Sequence, residues 1–230
     1  KKCPKKDMQD LIAQERFELE VLDRLNSGGV LRYLIFTGGT MLRLCFGMER
    51  FSVDLDFWIW RRAEPKKLFS KLQEIFSQSY VLKDSADKFY TLLFELKSED
   101  YPRSLKVEIR KSAPKGIRTE QAIAYSRYSD LQVLVRVVSL TDMMRFKADA
   151  FLERGEIRDV YDMEFLLKRG VMLDVPKDKL RHLLKKIDSL KRRDYTVKLG
   201  SLLEEPQRRY YMSENFKLLK TAIKEKLIEE

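Results

Sequence analysis

Histidine, cysteine and long apolar runs are all scarce in this chain. One histidine, His182, and two cysteines, Cys3 and Cys45, stand among 230 residues. Two thiols so far apart make neither a disulfide framework nor a zinc cluster. Cys45, set among Leu42, Leu44 and Phe46, reads as a small core residue rather than a nucleophile. His182 has no Ser, Cys or carboxylate cluster beside it and reads as a surface histidine. No stretch approaches the roughly 18 consecutive apolar residues of a membrane span, and no secretory signal opens the chain. These absences exclude a disulfide scaffold, a zinc module and a membrane-spanning helix, and the protein is expected in the cytoplasm. The chain opens on Lys1 rather than Met, which suggests that N-terminal residues are missing or trimmed.

What is abundant is charge, and basic charge most of all. Lys and Arg number 46 against 36 Asp and Glu, a formal surplus of +10. Such a surplus suits a polyanionic partner, most often nucleic acid, although a solvated basic surface is the plainer alternative. Much of it falls late: Lys177, Lys179, Arg181, Lys185, Lys186, Lys191, Arg192 and Arg193 form one block beside Tyr195, and Arg208, Arg209, Tyr210 and Tyr211 form another. Cations interleaved with aromatics can track an RNA backbone and stack its bases.

The chemistry concentrates between Gly38 and Asp56. Tyr33-Leu34-Ile35-Phe36 reads as a short buried strand delivering the chain to Thr37-Gly38-Gly39-Thr40, after which Met41 to Phe46 reads as one or two helical turns. Glycines let a backbone approach an anion closely, and the free N–H groups of a helix start favour a phosphate. Gly38, Gly39 and Thr40 are therefore candidate phosphate contacts. Val53 to Trp60 is rich in aromatic and branched residues and reads as a strand. Side chains two apart leave a strand on the same face, so Asp54 and Asp56 project together about 7 Å apart. Converging carboxylates without His or Cys suit Mg²⁺ or Mn²⁺. In Leu105 to Arg110 the apolar Leu105, Val107 and Ile109 share one face, and Lys106, Glu108 and Arg110 the other. If that strand neighbours the first, Glu108 becomes a third metal-type carboxylate, and three can hold two cations for an in-line phosphoryl displacement. Arg50 and Ser52 could meet a triphosphate through a guanidinium and a hydroxyl; Arg50 could equally be a solvated loop charge.

Around this core, Met8 to Leu25 has the spacing of an amphipathic helix closed by Asn26-Ser27-Gly28-Gly29. Pro65 starts a helix running to about Ser77, and Lys88 to Leu96 reads as a strand. From Ser139 the chain turns helical. Ser139-Leu140-Thr141-Asp142 resembles a capping box before a helix over Thr141 to Glu153. Glu156 to Lys168, a helix begun by Pro176, and Tyr211 to Ile228 follow. The expectation is an α/β domain over residues 1–138 and an all-helical domain over 139–230 that closes on the active-site cleft.

Four stretches, spread over roughly residues 33 to 170, resemble one family. They are Gly38-Gly39-Thr40 with Leu42 and Arg43, continued by Arg50-Phe51-Ser52-Val53-Asp54-Leu55-Asp56-Phe57; Lys106-Val107-Glu108-Ile109; Lys147 in Met144-Arg145-Phe146-Lys147-Ala148-Asp149-Ala150; and Arg158-Asp159-Val160-Tyr161-Asp162. In this order they are similar to the nucleotidyltransferase-fold toxins of AbiEii/AbiGii (MenT-like) type, some of which modify transfer RNA. The resemblance implies an α+β, polymerase-beta-like mixed sheet with an all-helical C-terminal half. It implies an NTP substrate, a cognate antitoxin, Ser52 close to the nucleotide and Lys147 clamping the triphosphate. It makes Asp159 a site residue that positions Lys147 or assists the incoming hydroxyl, with Asp162 structural and Tyr161 packed between the helices.

The combined expectation is a Mg²⁺- or Mn²⁺-dependent enzyme with Asp54, Asp56, Lys147 and Asp159 as catalytic residues. It moves a nucleoside monophosphate from an NTP to an RNA 3′ end, with transfer RNA the foremost acceptor. A protein-adenylylating transferase of the same fold and a non-catalytic RNA-binding module are the alternatives.

Overall fold

The computed structural model describes residues 4–60 and 63–228; Cys3 lies outside them. Residue contacts divide the chain into two compact units at the Val138/Ser139 junction.

In the first unit α1 (Pro4–Ser27) is followed by β1 (Leu34–Thr37), α2 (Gly38–Phe46), β2 (Asp54–Ile59), α3 (Pro65–Ser77), β3 (Val81–Asp87), β4 (Thr91–Lys97), β5 (Leu105–Arg110), β6 (Thr119–Ser126) and β7 (Ser129–Val138). These strands form one mixed sheet in the order β3-β4-β5-β2-β1-β7-β6. β2 runs parallel to β5, and β1 to β7, while the remaining neighbours are antiparallel. Alternation decides the two faces: Leu55, Phe57, Leu92, Phe94, Val107 and Ile109 are buried, and the residues between them are half-buried or exposed. α3 buries Leu68, Leu72 and Phe76, spaced four apart on one stripe, and Phe76 meets Phe94 edge-on at 5.2 Å. Cys45 is half-buried, and burial pushes its thiol up to about 12, which leaves it an inert packing residue.

β3, β6 and β7 lie where no strand was expected, although in β7 the buried Val133, Val135 and Val137 alternate with Gln132, Leu134 and Arg136 at a strand period. β3 is an edge strand with no buried residue, so it lacks apolar alternation. The expected strand from Lys88 begins instead at Thr91, because Lys88 to Tyr90 form a hairpin turn in which the Lys88 amide donates to the Thr91 carbonyl at 2.9 Å.

The second unit contains α4 (Leu140–Arg154), α5 (Ile157–Lys168), α6 (Lys177–Asp188), a wide turn over Asp194–Leu199, α7 (Glu205–Glu214) and α8 (Lys217–Ile228). The Ser139 hydroxyl accepts from the Asp142 amide at 3.3 Å and caps α4, and Gly155 closes that helix at φ 70°. The continuous helix expected over Tyr211 to Ile228 is two helices. Asn215 and Phe216 take positive φ, 48° and 53°, at the break. Phe216 is thereby fully buried against Tyr211 and Tyr195, and a carboxylate oxygen of Glu164 accepts from the Leu219 amide at 3.1 Å, capping α8. Tertiary packing overrides the helical period there. Among the described residues no helix is long and apolar enough to cross a membrane.

α1 buries Leu11, Phe17, Leu19, Val21, Leu22 and Leu25, and three polar residues, Gln14, Glu15 and Glu18, are buried with them. Glu15 accepts from the Arg43 guanidinium and the Ser126 hydroxyl, whereas neither carboxylate oxygen of Glu18 has a hydrogen-bond partner. Burial first, then the neighbouring Glu15, holds the Glu18 carboxyl well above its ordinary value of 4.5. In the unfolded chain Glu18 ionises at that ordinary value while the folded protein keeps it protonated, so stability falls as pH rises above 4.5 towards the folded pKa. Glu18→Gln is therefore expected to raise the urea midpoint in neutral and mildly alkaline buffer, with the gain disappearing below the ordinary carboxylate pKa. Urea titrations of both proteins across that range check it.

Candidate active site

β1 is buried throughout and passes directly into α2, whose first residue is Gly38. Thr37 stands opposite Asp56 in the antiparallel β1/β2 ladder, so the start of α2 meets the middle of β2. The contact is too close for side chains. A Cβ at Gly38, where φ is +82°, would stand 2.5 Å from Oδ2 of Asp56, and one at Gly39 would stand 2.6 Å from Nη2 of Arg50 and 2.9 Å from Oγ of Ser52. The glycine pair is thus the point where the helix start, Asp56, Arg50 and Ser52 converge.

The other partners are fixed around that point. The Thr40 hydroxyl, fully buried, donates to the Asp54 carbonyl at 2.5 Å. Thr40 therefore ties α2 to β2 with its side chain, while its backbone N–H stays in the first turn of α2. Arg50 is 2% exposed and donates to the Phe51 carbonyl at 3.0 Å, so it is not a solvated loop charge. Two residues that the sequence reading did not single out as site residues hold the loop between α2 and β2. Arg43 donates to the Met48 and Glu49 carbonyls and lies 3.7 Å over the Phe51 ring, and Gln14 donates to the Val53 carbonyl at 3.2 Å. Arg43 appears in the first family-like stretch, but nothing in its local sequence announces a structural tie.

β5 lies beside β2, with Asp56 opposite Glu108 and Asp54 opposite Lys106. The parallel register brings Asp54, Asp56 and Glu108 to one face, where Asp54 and Asp56 are half-buried. Lys106 stands on the same face and holds Glu108 at 3.0 Å. The hydrogen bond to Glu108 raises the Lys106 pKa, and the charges of Glu108, Asp54 and Asp56 add to it against the opposing effect of burial. Among the described residues no three His, Cys, Asp or Glu side chains gather closely enough to cage a metal alone. The donor set at hand is the Asp54/Asp56 pair, with Glu108 drawn to Lys106. Such a pair fits Mg²⁺, which takes one or two carboxylates and completes its shell with water and substrate phosphates.

In the helical unit Lys147, 7% exposed, lies 2.6 Å from Asp162 and 3.3 Å from Asp159. Arg154 reaches Asp159 through two nitrogens, at 2.8 and 2.6 Å. Both aspartates are fully buried. Asp159 does engage Lys147, but Asp162 makes the shorter contact, so the two share that task. Tyr161 packs its ring against Tyr211 of α7 and donates to Gln207 at 3.1 Å. His182 is exposed on α6, beside Lys185 and Lys186.

The profile of the AbiEii nucleotidyl transferase toxins, of type IV toxin–antitoxin systems, matches residues 20–227. The chain belongs to this family. Two solved structures from Helicobacter pylori share its fold. JHP933 is 22% identical over 92% of this chain and 94% of its own, with a TM-score of 0.57. A protein provisionally described as a nucleotidyltransferase is 21% identical over 94% and 98%, also with a TM-score of 0.57. No curated protein matches the chain in sequence. Family membership makes it a nucleotidyltransferase and a toxin, with an NTP as substrate and an antitoxin as counterpart.

Two outcomes follow from this packing. Gly38→Ala, which adds a Cβ at positive φ, is expected to cost about 1–3 kcal/mol of stability and to displace the Asp56 carboxylate; thermal melting and titration with a fluorescent NTP measure both. Asp162→Ala leaves the Lys147 ammonium buried with one carboxylate fewer and is expected to destabilise the protein by about 3–5 kcal/mol, read from urea unfolding.

Proposed function

We propose that this protein transfers a nucleoside monophosphate from an NTP to the 3′ hydroxyl of an RNA, with transfer RNA the foremost acceptor, in a divalent-metal-dependent reaction. One observation carries the reading: Asp54 and Asp56 share a face of β2 at the glycine-pair start of α2, where Arg50 and Ser52 also arrive. The N–H groups of the first turn of α2 and the guanidinium of Arg50 suit the phosphates, and the Ser52 hydroxyl lies beside them. Asp54 and Asp56 are the residues that would hold Mg²⁺, or Mn²⁺, with Glu108 joining them when it leaves Lys106. The ion supplies Lewis-acid charge neutralisation for the α-phosphate and the departing pyrophosphate.

The acceptor oxygen forms a bond to the α-phosphorus as the bond from that phosphorus to the bridging oxygen breaks. The hydroxyl proton leaves to a neighbouring base or water, and pyrophosphate departs. The protein's own work is positioning and electrostatic preorganisation, without a covalent enzyme intermediate. For Lys147 the support is the family resemblance; within the helical unit its ammonium is fixed by Asp159 and Asp162. Asp159 and Asp162 act on it as positioning residues. RNA as acceptor is supported by the surplus of +10 and by exposed cations in and after α6, among them Lys177, Arg181, Lys185, Arg192 and Arg193.

The test is incubation with cellular RNA, Mg²⁺ and each labelled NTP in turn, beside an Asp54→Ala/Asp56→Ala control. Label is expected on an RNA band, lost on adding EDTA and reduced by about a thousandfold or more in the control. Label on protein instead would replace this reading with a protein-modifying one, and RNA labelling that survives in the control would remove the two aspartates from the chemistry.

A further inference from the structure

At the tip of the β3–β4 hairpin two consecutive aromatic side chains face solvent. Phe89 is 83% exposed and Tyr90 76%, and their rings meet edge to face at 4.5 Å. A single exposed apolar side chain is ordinary, whereas two adjacent exposed rings form a local aromatic patch. The tip is held firmly. Lys88 donates to the Thr91 carbonyl, the Lys111 amide donates to the Tyr90 carbonyl at 2.9 Å, and the Lys111 ammonium pairs with Asp87 at 2.5 Å. Two of these ties bind the hairpin tip to Lys111, directly after β5, the strand that carries Glu108.

The register gives the distance to the acidic face. Leu93 stands opposite Glu108 and Thr91 opposite Arg110, while Glu108 stands opposite Asp56. From Glu108 to Lys111, at the tip, is three residues, or about 10 Å of strand. That is the length of about three stacked nucleotides. Arg110 leaves β5 on the same side as Glu108, and it and Lys88 are both exposed. Residues 86–91 and 109–118 together hold five cations, Lys88, Arg110, Lys111, Lys115 and Arg118, against the single acid Asp87. Exposed π-faces combined with cations are the requirements of single-stranded nucleic-acid binding, since every base offers a face to stack and a phosphate to neutralise.

We propose that Phe89 and Tyr90 form a stacking platform for the unpaired bases just upstream of the reacting 3′ end, with Lys88 and Arg110 on their phosphates. The inference rests on RNA being the acceptor. It adds a specificity: acceptors with an unpaired 3′ tail are favoured over those whose 3′ end is base-paired.

Phe89→Ala/Tyr90→Ala and Phe89→Trp/Tyr90→Trp are compared with the unaltered full chain, using an RNA with a single-stranded 3′ tail and the same RNA with its 3′ end paired. The alanine variant is expected to raise KM for the tailed RNA about tenfold, while KM for the NTP, kcat at saturating RNA and the melting temperature stay within about twofold or unchanged. The tryptophan variant keeps the original KM, and its added fluorescence is quenched by the tailed RNA. If the unaltered chain labels RNA but the alanine variant retains its KM, or loses NTP affinity equally, the platform is wrong and the RNA reading stands. If the unaltered chain labels no RNA with any NTP, both fall. Recovery of RNA activity together with unquenched tryptophans would also overturn the platform.

Discussion

The hydroxyl of Thr40, buried and donated to the carbonyl of Asp54, joins the first turn of α2 to the first residue of β2. Much of the acidic face depends on that joint. β2 is held on one side by β1 and on the other by β5, but its entry is a loop, and a loop end carrying a carboxylate drifts unless something fixes it. A buried hydroxyl without a partner would cost about 1–3 kcal/mol, so the bond is enforced as well as favourable. Gly38 and Gly39 permit the approach by having no Cβ to collide with Asp56, Arg50 and Ser52. Small residues and one hydroxyl thereby place an anion-seeking helix start against two carboxylates that repel each other.

Charges inside this protein are used to set position. Lys147 is held by Asp159 and Asp162, Asp159 is held again by Arg154, and Arg43 joins Glu15 to the carbonyls of Met48 and Glu49. Buried ion pairs of this kind add little net stability over apolar replacements, because desolvation offsets much of the attraction. Their value is geometric, since each fixes a side chain that would otherwise sample many rotamers. Lys106 behaves differently. Half-exposed on the acidic face, it answers the repulsion among Asp54, Asp56 and Glu108 without being locked in place. Glu18 is the exception, its carboxyl oxygens without a hydrogen-bond partner, tolerated because a protonated carboxyl is far cheaper to bury than a carboxylate.

The parts legible in the sequence were those that local patterning encodes. The helices over Pro65–Ser77 and Leu140–Arg154 follow from a proline start, a serine cap, a closing glycine and the spacing of apolar residues. The shared face of Asp54 and Asp56 follows from the two-residue period of a strand alone. The edge strand β3 was not legible, because a strand with no buried residue shows no alternation. The break at Asn215 and Phe216 was hidden for a related reason: the residues around it keep a helical period, and the competing pull comes from Tyr195 and Glu164, remote in sequence, together with the neighbouring Tyr211.

What the sequence determined by itself was the acidic pair on one face and the anion-suited glycine start beside it, since both are carried by spacing within short segments; the fold class and the family came with the resemblance of four motifs to known toxins. Only the tertiary structure decided that β5 lies parallel to β2 with Glu108 against Asp56, that Lys106 answers it, that Arg50 is buried at Gly39, and that Asp162 holds Lys147 more closely than Asp159 does. The reason is physical. Strand pairing, burial and ion-pair choice are contests among groups far apart in the chain, and the energies that settle them come into being only when packing brings those groups together.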